Sequence, residues 1–92
     1  MNEFWVVSEW AWMDEMGSGV DRGWCATLPT LAAAKRWGLR EFGHDDFTIA
    51  VVNRAQRRLV QYTWMGEDRG DTPEDLAAIA ASLDLTPTNE KD

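Results

Sequence analysis

The stretch Thr30–Gly43 constrains this chain more than any other. The Thr30 hydroxyl can cap a helix start, and Gly43 can adopt the left-handed turn that ends one. Between them Leu31, Ala34, Gly38 and Phe42 recur at helical spacing, with Arg36 and Arg40 on the opposite side. A helix this short is unstable alone, so its apolar stripe needs a sheet to cover it. The flanking sequence offers two strand pairs for that purpose. With 92 residues there is room for one modest core, and the six Trp are expected to supply much of it.

Phe4–Trp12 is predicted as a strand, with Phe4, Val6, Ser8, Trp10 and Trp12 on one side and Trp5, Val7, Glu9 and Ala11 on the other. Met13–Arg22 follows as a loop too long for a tight hairpin turn, with flexible Gly17-Ser18-Gly19 at its tip. Gly23–Leu28 resumes as a second strand. Phe47–Val52, β-branched and uncharged, is the clearest strand of the chain. Beyond the polar turn Asn53–Arg57, Leu59–Met65 returns as a fourth strand, with Val60, Tyr62 and Trp64 on one face and Leu59, Gln61 and Thr63 on the other. Gly66–Asp71 is expected to be a loop. Thr72, Pro73 and Asp75 then open a helix whose stripe is Leu76, Ile79, Ala80 and Leu83. The expected fold is α+β: a four-stranded, mainly antiparallel sheet with two helices on one face, in the order ββαββα. Residues 1–85 form one domain in this reading, and 86–92 a flexible C-terminal tail.

Catalytic constellations are missing. His44 is the only histidine and Cys25 the only cysteine, so neither an activated nucleophile nor a zinc-type ligand set can be assembled from residues at suitable spacing. Cys25 reads as a small strand filler, and His44 beside Asp45 and Asp46 as a solvated turn. No serine sits in a nucleophile-elbow pattern, and Gly17-Ser18-Gly19 lacks the lysine and context of a phosphate cradle. We therefore expect no enzyme, no metal and no cofactor. The start of the chain lacks a signal-peptide pattern and no apolar run has bilayer length, so a cytoplasmic protein is expected.

Charge is the informative property. Sixteen acids against nine Lys and Arg give a net charge of −7. Residues 1–34 hold five acids and one base, a net of −4, and residues 59–92 hold eight acids and two bases, a net of −6. Between them residues 35–58 hold three acids and six bases, a net of +3: Lys35, Arg36 and Arg40 on the helix, Arg54, Arg57 and Arg58 at the second hairpin. The densest acidic run is Glu67, Asp68, Asp71, Glu74 and Asp75. It can serve helix capping and solubility, or face a basic partner. Asp14, Glu15 and Asp21 flank Trp12, Met13, Met16 and Trp24, a combination suited to a protein-binding surface. Trp12 and Trp24 can alternatively pair across the two strands.

A short, acidic, single-domain α+β chain without a catalytic site resembles the small inhibitors of phages and mobile elements, the anti-CRISPR and anti-restriction proteins. The resemblance is one of size and charge profile, carried by Glu67, Asp68, Asp71, Glu74 and Asp75 together with Asp14, Glu15 and Asp21. It implies stoichiometric binding that blocks DNA recognition or nuclease recruitment. The six clustered bases separate the chain from an extreme DNA mimic and point instead to local occlusion of a basic surface. The expected function is thus non-enzymatic inhibition or modulation of a larger nucleic-acid-handling complex, through contact with a basic nucleic-acid-binding protein. A monomer is favoured. The alternatives are an accessory subunit acting through self-association and, third, a weak nucleic-acid binder through the basic helix and hairpin.

Overall fold

Residues 2–43 and 45–86 are described by a computed structural model. The elements are β1 (Asn2–Asp14), β2 (Gly17–Leu28), α1 (Leu31–Phe42), β3 (Thr48–Asn53), β4 (Arg58–Trp64), β5 (Glu67–Asp68) and α2 (Pro73–Ser82). The strands form one antiparallel sheet in the order β2-β1-β3-β4-β5. The α+β class holds, but the sheet has five strands rather than four, because Glu67 and Asp68 pair back onto Trp64 and Thr63.

Both helices start where the sequence places them. The Thr30 hydroxyl accepts from the Ala33 amide at 3.1 Å, and the Gly43 amide closes α1 onto the Leu39 carbonyl. In α2 the Thr72 hydroxyl accepts from the Asp75 amide while the Asp75 carboxylate accepts from the Thr72 amide, a full capping box.

The helices do not share a face. Val6 pairs with Ile49 across β1 and β3, and both pack with Ala34 of α1 and with Phe47. The next residues along each strand, Val7 and Ala50, point the other way and pack with Ile79 and Ala80 of α2. The cause lies in β3. Phe47 to Val52 are all buried and none is charged, so both sides of this central strand need an apolar cover. On the α1 side, Gly38 brings helix and sheet together: a Cβ there would overlap the Phe47 ring.

Two bulges change the expected facing. Val51 pairs with Gln61 but Val52 with Leu59, so Val60 is the extra residue and is exposed, while Leu59 joins Tyr62 in the core under α2. In β2 the extra residue is Cys25, half-buried against the α1 cluster. At the end of the described chain Thr86 is not tail. It bridges to Arg58, its carbonyl accepting from Leu59 and its amide donating to the Arg57 carbonyl. The remainder of the expected tail, and His44, lie outside the described residues. No helix among the described residues is long and apolar enough to cross a membrane.

Candidate protein-binding arm

The largest departure from the sequence reading is the segment 13–22. It is strand, not loop. β1 pairs with β3 only as far as Val7, yet β1 and β2 remain paired from Ser8↔Gly23 out to Asp14↔Gly17. The result is a two-stranded arm that runs past the end of β3 by seven residues per strand, roughly 20 Å. Its turn is tight, Glu15-Met16, and the Asp14 carboxylate accepts from the Met16 amide at 2.8 Å.

An isolated ribbon is marginal in water, so something must hold the arm. Its root is tied by Glu9, the second residue of β1 beyond the β3 pairing. Glu9 Oε2 accepts from Arg22 Nε at 2.8 Å and from the Tyr62 hydroxyl at 2.9 Å, and Arg69 Nη1 reaches both carboxylate oxygens at 3.1 and 3.2 Å. Arg69 also lies over the Tyr62 ring and faces Asp71 Oδ2 at 3.5 Å. Tyr62 Oη meets Thr48 Oγ1 at 2.7 Å, and Thr48 Oγ1 lies 2.9 Å from the Val7 carbonyl. Two hydroxyl protons thus serve three short contacts, and the carboxylate has first claim on that of Tyr62. Burial pushes the Glu9 carboxyl upward, but the hydrogen bonds from Tyr62 and Arg22 and the charge of Arg69 outweigh it and hold Glu9 below its ordinary value. Burial, opposed by the Thr48 hydrogen bond and reinforced by the Glu9 charge, raises Tyr62, which keeps its phenol a donor.

Farther out, tryptophan covers glycine. Trp12 is opposite Gly19, and its indole lies closer than a Cβ would allow, 2.8 Å from where one would stand. Trp10, opposite Asp21, reaches diagonally over Gly23, its ring 3.4 Å from where a Cβ would stand. The absent side chain of Gly19 lets the Trp12 ring lie across the neighbouring strand, a packing that stabilises strand glycines. Neither ring is a core group. Trp10 is 49% exposed and Trp12 42%; Trp24, on the other face, is 58% exposed, and Met16 at the turn 94%. The expectation that most Trp are core is therefore overturned: Trp64 is exposed as well, and Trp5 and Trp37 are half-buried. Nor do Trp12 and Trp24 pair, since Trp24 lies opposite Val7.

The arm thus gathers Asp14, Glu15, Asp21, Trp12, Met13 and Met16, with Trp24 at its root opposite Val7, and adds exposed Trp10 and Val20. The second acidic set is elsewhere, on β5 at the sheet edge opposite β2 and at the start of α2. Three of its members have local duties: Asp68 accepts from the Gly70 amide, Asp71 faces Arg69, and Asp75 completes the capping box. The basic residues are distributed too. Arg54 and Arg57 lie at the β3–β4 turn, at the opposite end of the sheet from the arm, where Arg54 pairs with Glu3 at 3.7 Å and Arg57 covers Trp5. Beside Glu9 a cleft of 170 Å³ opens between Asp46, Phe47, Thr48 and Trp64, small for an organic ligand. Among the described residues no group of three His, Cys, Asp or Glu is placed to hold a metal ion. No protein-family model, curated protein or solved structure matches the chain.

Proposed function

We propose that the protein is a non-enzymatic binding protein that inhibits or modulates a larger nucleic-acid-handling complex, in the manner of anti-CRISPR-type inhibitors, by stoichiometric occlusion of a basic surface. The observation that carries this reading is the arm. It projects Trp, Met and Val side chains into solvent beside Asp14, Glu15 and Asp21, and apolar anchors rimmed by one sign of charge suit a partner of the opposite sign. Indoles lying over glycines and the Glu9 cluster hold it in shape before contact, which lowers the ordering cost of binding.

The test is capture from nuclease-treated host lysate on immobilised protein, followed by titration of the captured complex's activity. The expected outcome is a salt-eluted DNA- or RNA-processing complex, inhibited at one protein per binding site. Reversing Asp14, Glu15 and Asp21 to Lys should weaken binding about tenfold or more, whereas reversing Glu67 and Glu74 should weaken it less. Equal affinity of the arm variant and the wild type overturns the role of the arm.

A further inference from the structure

The two edges of the sheet are treated very differently. β5, at one edge, is two residues long, which leaves little backbone for another strand to pair with. β2, at the other, runs for 12 residues, and among the described residues nothing pairs with its outer side. It carries neither Lys nor Pro, the residues that commonly blunt such an edge, and its two charges, Asp21 and Arg22, cancel. On a chain of net charge −7 this is a neutral strip with an open backbone.

We propose that the outer edge of β2 pairs with β2 of a second copy of this chain, antiparallel and centred on Val20, joining two sheets into one of ten strands. Two-fold symmetry requires a residue to face itself at the centre. Centring on Asp21 or Arg22 would oppose like charges, which is unfavourable. Centring on Val20 sets Val20 against its own copy, Asp21 against Gly19, Arg22 against Ser18, and Gly17 against Gly23, so that all of Gly17–Gly23 is used. The same register brings the Met16 turn of each arm beside Trp24 of the other, a favourable sulfur–aromatic pairing. The Trp10 and Trp12 rings already lie over Gly23 and Gly19 toward this open edge, where the rings of the second copy approach from the other side.

The area is near what is needed. The exposed parts of Trp10, Trp12 and Trp24 sum to about one and a half tryptophans, roughly 350 Å² per copy. Doubled, and joined by Met16, Val20 and the backbone edges, they set an upper limit near the ~1,200 Å² at which specific interfaces begin. This pairing goes beyond the partner-binding reading and draws on the same exposed arm side chains. It leaves Asp14 and Glu15 at the arm tips and places both pairs of Trp10 and Trp12 on one side of the joined sheet.

Sedimentation equilibrium on the purified full chain, with no partner present, tests it. The expected mass rises with concentration from one chain to two, and Val20→Lys, which opposes two ammonium groups at the centre, returns it to one while the circular dichroism is kept. In a Cys25→Ser background, Val20→Cys should oxidise to a cross-linked dimer and Ser18→Cys should not, because residue 18 and its copy stand four positions apart, roughly 13 Å along the strands and beyond disulfide reach. A single-chain mass at all concentrations, a Val20→Lys dimer, or equal cross-linking at both positions overturns the proposal. Partner capture repeated with Val20→Lys tells the two readings apart, since a foreign partner that uses the same arm side chains is still captured by the single chain.

Discussion

The body of this molecule and its arm are made from the same two strands, yet they are stabilised by opposite means. Within the body β1 has β3 beside it and helices on both faces, and Val6 and Val7 are completely buried. Seven residues on, the same strand has one neighbour and both faces in water. Stability there rests on a tight turn, on indoles lying over glycines, and on one carboxylate shared among Arg22, Tyr62 and Arg69. The body can therefore lose a surface group with little effect, whereas the arm keeps its shape only through directional contacts. That division places folding in one region and, in the proposed function, recognition in the other.

Core truncation should separate them most sharply. Phe47→Ala removes the ring against which Gly38, Phe42 and Ile49 pack and should cost about 3–5 kcal/mol, read as a lower urea midpoint. Arm truncation by Trp12→Ala should lower the same midpoint by less, since Trp12 belongs to neither core cluster and its ring covers Gly19 of the arm, while removing an anchor from the proposed binding surface. A comparable loss from both would erase the distinction.

Glu9→Gln probes the joint between the two regions. It leaves two guanidinium groups around a neutral amide, and should cost about 1–3 kcal/mol at neutral pH. The pH dependence has a definite sign. Because the folded-state value of Glu9 lies below the ordinary 4.5, its contribution is complete above that pH and is lost as pH falls through the lowered folded value. Wild-type stability should therefore fall on acidification through this range more steeply than that of Glu9→Gln. Parallel acid limbs would remove Glu9 as the fastening of the arm.

What was legible in the sequence follows the same division. Thr30, Gly43, Thr72 and Asp75 announce the two helices through local chemistry, and the uncharged run Phe47–Val52 announces the central strand. Its lack of charge on both sides also signals that both faces are covered, one by each helix. The arm was hidden because Gly17, Ser18, Gly19, Asp21 and Gly23 have the composition of a loop. Their role appears only in register, where Gly19 and Gly23 lie beneath indoles from the partner strand. The Glu9 cluster was hidden by distance, since Tyr62 and Arg69 lie 53 and 60 residues away in the chain.

Native-state hydrogen exchange of the free chain tests the central claim most directly, namely that residues 8–23 form an ordered ribbon projecting from the body. The account predicts slowed exchange for the paired amides of Ser8–Asp14 and Gly17–Gly23, at opening free energies well below those of Thr48–Val52. Amides of residues 13–22 exchanging at the rate of an unfolded chain would contradict it, and would return this segment to the flexible loop that its composition suggests.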